Sequence, residues 1–211
     1  MKYLFICCEG ETEEAFAEKV LAPYFKDIGV YVTPSKMKGV SNFEKVKKHV
    51  TGFCLSNPNS LVTTMIDYYG LRKVIPSLIP TEGDLYERVQ IIEKKVSEEL
   101  RSLNNLYFNI VLHEFEGLLF SDVSAFDGIA NKSQILELKN IRRRATSPEH
   151  INDKYETAPS RRILGQIPDY SKIQNGIEIA QRIGIKKMTD ECVHFKQWIS
   201  KLTAWGKEGT Q

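Results

Sequence analysis

The sequence has little of what marks the specialised protein classes. Its four cysteines, Cys7, Cys8, Cys54 and Cys192, form no C-x-x-C pair and no dense framework, which excludes zinc ribbons and disulfide-stapled scaffolds. The adjacent Cys7 and Cys8 are expected as small buried thiols on opposite faces of a strand. No window approaches ~18 consecutive apolar residues, the length a helix needs to cross a bilayer. The N-terminus MKYLFICCEGE lacks the long apolar stretch and small-residue cleavage site of a secretory signal, so a cytoplasmic location without membrane attachment is the expectation. There is no internal repeat, no low-complexity stretch and no linker long enough to separate a pair of independent domains.

Nor is there a large excess of charge of one sign. The net charge is +2 over 211 residues, of which 42% are hydrophobic and 27% charged, an ordinary balance for a soluble globular chain with a sizeable core. The charge is unevenly spread. Residues 1–130 carry 14 Lys+Arg against 18 Asp+Glu, whereas residues 131–211 carry 15 against 9. An acidic front half joined to a basic rear half suits carboxylates that work on a polyanion; chance scatter of solvated charge is the competing reading.

Strand and helix signals alternate through the first half. KYLFICC is an apolar run of strand length, and TEEAFAEKVLAPYF follows with Phe16, Val20 and Tyr24 on one helical stripe. GVYVT reads as a second strand. Ser41, three residues before Glu44, makes a capping box for a helix with Phe43, Val46, Val50 and Phe53 on its apolar side. SLVTTMI is a third strand. Asp84 and Glu87 open the next helix, with Val89, Ile92, Val96 and Leu103 as its buried stripe, and LYFNIVL is a fourth strand. This βαβαβαβ pattern implies an α/β fold: a parallel four-stranded sheet with right-handed crossovers, flanked by helices. After Glu116 the strand signals stop, and SQILELKNIRRRA, NGIEIAQRIG and TDECVHFKQWISKL read as helices. The expected organisation is an α/β core over residues 1–120 and a helical C-terminal lobe over residues 121–211.

Carboxylates gather at the strand ends. Glu9 follows strand one, Asp67 ends strand three, and Glu114 and Glu116 follow strand four. In a sheet of order 2-1-3-4, strands one and three are neighbours at the switch point, where open parallel sheets bind ligands. Glu13 lies one helical turn into the first helix and reaches back to the same crevice. Three to five acids brought together there would repel unless a cation compensates, and an all-oxygen set suits Mg²⁺ or Mn²⁺. Blander readings stand beside this one. Glu13 and Glu14 are ordinary first-turn acids that complement a helix dipole, Asp67 caps the turn DYYG, and His113 is a core histidine.

The same residues carry a family resemblance. FICCEGETEE is similar to the glutamate motif of Toprim nucleases, in the EGxTE version of the overcoming-lysogenization-defect (OLD-like) branch. Together with TTMIDYYGL, HEFEGLLFSD, PEHINDKYETAPSRRIL and GIEIAQRIGIKKMTDECVHFKQWISKL, it resembles a small Toprim-like family known as a domain of unknown function, over nearly the whole chain. The resemblance implies a metal-dependent nuclease acting on RNA, tRNA or DNA, of the kind found as effectors of bacterial anti-phage systems beside an ABC-type ATPase partner. It makes Glu9 the general base or a metal ligand, Glu13 the second acid of the motif, and Asp67 the first aspartate of the Toprim D-x-D. Residue 69 is Tyr, so the second aspartate is missing, and Glu116 or Glu114 is the expected substitute. The segment EHINDKYE also departs from the turn rich in Gly and Pro that the resemblance leads one to expect.

Basic residues then complete the expectation. Arg142, Arg143 and Arg144, Arg161 and Arg162, and more weakly Lys172 and Lys186, are candidates for phosphate contacts, with a solvated basic face as the alternative. Phe195, Trp198 and Leu202 at helical spacing read as core rather than as a base-stacking platform. Two other functions fit the same residues: a degenerate Toprim-like subunit that binds and signals on an ATPase without chemistry, and a phosphohydrolase of small molecules. The oligomeric state, monomer or dimer, stays open.

Overall fold

The computed structural model describes residues 1–208 apart from 38–41, 69, 72–74, 76–77, 113 and 152–156. The chain forms two compact units, Met1–Val111 with Thr203–Gln211, and Leu112–Leu202. Strand pairing ends at Val111, and Phe115–Ser121 coils into a 3-10 helix whose residues are all buried.

In the first unit, β1 (Lys2–Cys8), β2 (Val30–Lys36), β3 (Leu61–Asp67), β4 (Leu106–Tyr107) and β5 (Ile110–Val111) are all parallel. The order is β2-β1-β3-β4, with β5 also on β3; the parallel pairing is what the alternating pattern implied, and the order is the one under which strands one and three are neighbours. The fourth strand is interrupted at Phe108–Asn109. There the Thr64 hydroxyl donates to the Asn109 carbonyl at 2.7 Å and accepts the Asn109 N–H at 2.8 Å, taking the place of a backbone rung. Cys7 and Cys8 are both fully buried. Burial and nearby Cys54 push the Cys7 thiol up to about 12, while burial and the acids Glu13 and Glu14 push Cys8 up as well. The two thiols thus look toward different helices, and neither ionises at neutral pH.

The first crossover corrects one expected stripe. It runs as α1 (Glu11–Phe16), a π-helical segment Ala17–Leu21, and α2 (Ala22–Lys26). A π-turn holds more than the 3.6 residues of an α-turn and so rotates everything after it. Phe16 and Val20 are buried as expected, but Phe25 takes the buried position meant for Tyr24, which is exposed. In α3 (Phe43–Ser56) the cap is Asn42, whose side chain accepts the Lys45 N–H at 2.9 Å; the expected cap Ser41 lies outside the described residues. α4 (Leu85–Glu99) opens on the predicted Asp84–Glu87 capping box, closed by two 2.9 Å bonds.

The second unit is helical. After the 3-10 turns Phe115–Ser121 and Val123–Phe126 come α5 (Lys132–Arg143), a turn Pro148–His150, α6 (Pro159–Gln166) and α7 (Gln174–Glu191), and then α8 (Val193–Lys207), whose final residues from Thr203 belong to the first unit. Gly184 breaks α7 with φ 72°, a conformation that needs glycine. Cys192 is extended, so α8 starts at Val193 rather than continuing a single helix expected from Thr189. Phe195, Trp198 and Leu202 are buried, with the Phe195 and Trp198 rings edge-on at 5.8 Å. These aromatics are core, as their spacing predicted.

Candidate active site

Glu9 stands at the carboxyl end of β1, beside β3, where the strand order reverses. Its N–H donates to the Met65 carbonyl at 2.9 Å and prolongs the β1–β3 ladder by one rung. Its side chain accepts the Asp67 N–H on Oε2, also at 2.9 Å. Gly70 completes the seat. A Cβ on Gly70 would lie 2.4 Å from Glu9 Oε1 and 2.7 Å from Oε2, well inside van der Waals contact. Only glycine leaves the carboxylate room, and the segment IDYYG thus orients Glu9 by one amide and one missing methyl.

The other acids of EGETEE have separate seats. Glu13 is buried, and its Oε2 accepts the Gly10 N–H at 3.0 Å, closing the first turn of its own helix. Glu11 pairs with Lys36 at 2.9 Å, which holds its carboxyl below the usual range. Three of the four like charges that look mutually repulsive in the sequence, Glu9, Glu11 and Glu13, are therefore each met by a donor. Among the described residues, no three His, Cys, Asp or Glu side chains stand close enough to hold a metal ion together. Mg²⁺ takes one or two carboxylates and completes its shell with water and phosphate oxygens; the strand-end acids that could offer themselves to it are Glu9 and Asp67.

The remaining candidate acids belong to the second unit. Glu114 precedes the 3-10 helix and its Oε2 accepts the Ser160 N–H at 3.0 Å, capping the start of α6. Glu116 is 1% exposed and pairs with Lys172 at 3.0 Å. Burial raises its pKa more than Lys172 lowers it, with Glu114 adding to the rise. Tyr170 lies beside them: burial and the two glutamates push its phenol up, and its hydroxyl packs where Gly176 leaves space, 2.6 Å from where a Cβ would sit.

The raised Glu116 carboxyl makes a pH prediction. Between the unfolded value of about 4.3 and its higher folded value, the folded chain binds more protons than the unfolded one, so this group removes stability as pH rises. Glu116→Gln abolishes that loss. Denaturant unfolding of both proteins between about pH 4 and pH 8 should show the variant gaining on the wild type as pH climbs. A wild type that gains instead would mean that Lys172 outweighs burial.

Among the basic candidates, Arg142 bonds the Ala145 carbonyl and Glu191, each at 2.9 Å, and Arg162 donates to the Thr157 carbonyl at 2.8 Å. Lys172 is held by Glu116. Arg143, Arg144 and Arg161 are exposed. His113 and Tyr69 lie outside the described residues. The sequence reading missed Gly70 as a site residue, although a glycine three positions after Asp67 was the available signal.

Fold and site together define a parallel α/β protein with a seated strand-end glutamate at the switch point. The chain belongs to the family described as Domain of unknown function (DUF4276), whose model matches residues 8–203. Among solved structures it is similar to the C-terminal region of the OLD protein of Xanthomonas campestris pv. campestris, at 15% identity and a TM-score of 0.41, with 95% of this chain and 97% of that chain covered. Comparison with curated proteins returned no match.

Proposed function

We propose that this protein is a Toprim-type metal-dependent phosphodiesterase that cleaves nucleic acid, RNA, tRNA or DNA, and serves as the effector of an anti-phage system restrained by an ATPase partner. One observation carries the chemical side of this reading: the Glu9 carboxylate is oriented by the Asp67 amide and by the clearance at Gly70, at the sheet edge where parallel α/β proteins bind ligands. The motif resemblance of EGETEE and TTMIDYYGL supports the substrate class and the partner.

In this reading Glu9 and Asp67 hold Mg²⁺ or Mn²⁺, which, when bound, supplies positive charge to the phosphate and acidifies an attacking water. The chain's own task is orientation. The Asp67 N–H fixes one Glu9 oxygen, so the carboxylate presents a constant direction to the crevice without reorganising during the reaction. Glu13, by tying Gly10, holds the turn between β1 and α1 in place.

The test is cleavage of labelled single-stranded RNA and DNA by purified protein with Mg²⁺ or Mn²⁺. Glu9→Gln should lower the rate at least about 100-fold while keeping the fold, and Asp67→Asn should do the same. Equal cutting by wild type and Glu9→Gln rejects the assignment. The absence of a three-acid cluster among the described residues favours one second reading, a non-catalytic subunit that signals to the ATPase. Toxicity in cells that survives Glu9→Gln would select it.

A further inference from the structure

Helix α3 carries an open cleft of about 470 Å³ lined by Lys45, Lys48, His49, Gly52, Phe53 and neighbouring Ser56 and Asn57. Its position relative to Glu9 follows from two contacts. His49 Nε2 is 3.2 Å from Ser35 Oγ, and Ser35 pairs in register with Cys7. The Phe53 ring stands 5.6 Å from that of Phe5. Four helix residues rise about 6 Å and two strand residues about 6.6 Å, so α3 runs antiparallel to β1 with position 49 level with 7 and 53 level with 5. The same step puts Lys45 level with residue 9. The cationic end of the cleft thus reaches the edge that carries the Glu9 carboxylate, and the aromatic end leads away from it.

The chemistry of the lining is graded in the same direction. Lys45 and Lys48 are exposed on this flank; Lys47, on another flank of the helix, pairs with Glu44 and Glu99. Burial lowers the His49 pKa, and its ring lies 5.0 Å from that of Phe53, tilted by 41°, so that end offers a neutral aromatic surface. Gly52 sits in the middle of the helix, where glycine is unfavourable, yet a Cβ there would meet nothing within 4 Å. No packing within the fold requires this glycine, and it lies in the lining of the cleft.

We infer that the α3 cleft binds single-stranded nucleic acid next to the cleaved phosphate, with the strand's phosphates at Lys45 and Lys48 and a base lying over Gly52 against Phe53 and His49. Phosphates on lysines and bases on aromatics are the two contacts that hold a strand without reading its sequence. The inference rests on the proposed nuclease reading and deepens it.

Binding measured without cleavage separates the two. In EDTA, the full chain should bind fluorescein-labelled oligouridylate or oligodeoxythymidylate more tightly than polyglutamate or a DNA duplex. Lys45→Ala with Lys48→Ala should weaken binding about tenfold and flatten the salt dependence by about 1.4 in slope. Gly52→Leu should raise the melting temperature by about 2–4 °C and still weaken binding about tenfold. A 5-iodouracil strand should crosslink to the segment 48–57. Unchanged affinity in these variants, no binding by the wild type, or tighter binding of duplex or polyglutamate overturns the cleft assignment. Cleavage by Glu9→Gln at the wild-type rate overturns instead the nuclease reading beneath it.

Discussion

Gly70→Ala should silence the protein as completely as removal of the Glu9 carboxylate. The added methyl would stand 2.4 Å from Glu9 Oε1 and 2.7 Å from Oε2, closer than carbon and oxygen approach without a bond. Either the carboxylate swings away or the Asp67–Gly70 segment shifts; both break the 2.9 Å bond from the Asp67 N–H. Misplacing a reacting group by about 1 Å costs on the order of 100-fold in rate, so nuclease activity should fall by at least that factor. Gly70 is not at a positive φ, so alanine meets no backbone penalty and the folded state should survive. The check pairs cleavage assays with thermal melting. A Gly70→Ala protein that melts like the wild type and cuts at the wild-type rate would mean that the Glu9 orientation is irrelevant to chemistry.

The largest expected stability loss lies in the second unit, at Glu149. This buried side chain accepts the His194 N–H on Oε2 at 3.1 Å and the Phe195 N–H on Oε1 at 2.9 Å. It caps the first turn of α8 from a residue far away in the chain, satisfying two of the helix's orphan donors with a full negative charge at the positive end of its dipole. Hydrogen bonds to a charged group contribute about 1.5–3 kcal/mol each. Glu149→Ala should therefore cost about 3–5 kcal/mol, and a lowering of the melting temperature by roughly 6–20 °C follows for a chain of this size. Glu149→Gln keeps one acceptor but turns an amide donor toward an N–H, so it should lose about half as much. Equal melting of wild type and Glu149→Ala would show that water replaces the cap at no cost.

Much of the first unit was legible because its signals are local. The apolar run of β1, the capping box at Asp84 and the stripe Val89, Ile92 and Val96 each depend on neighbours within one or two turns. Parallel pairing followed from alternation and the handedness of crossovers, whereas the order 2-1-3-4 entered only as a condition and was decided by the structure. What failed were the places where a distant or non-repeating feature intervened. The π-helical segment Ala17–Leu21 moved the buried face from Tyr24 to Phe25, and no periodicity argument anticipates an extra residue in a turn. Thr64 replaced a rung of the fourth strand with its own hydroxyl. In EGETEE an amide takes Glu13, a lysine takes Glu11 and the Asp67 amide takes Glu9, pairings that no local pattern announces.

Residue pattern by itself determined the parallel α/β core, the position of Glu9 at its edge and the helical second unit, since hydrophobic periods of two and 3.6 are written in consecutive residues. Which charges meet was decided only by the tertiary structure. Glu9 with the Asp67 amide and Gly70, Glu116 with Lys172, and Glu149 with the start of α8 join residues separated by dozens of positions. Electrostatic and hydrogen-bond energies depend on distances of a few ångströms through space, and sequence separation does not encode those distances.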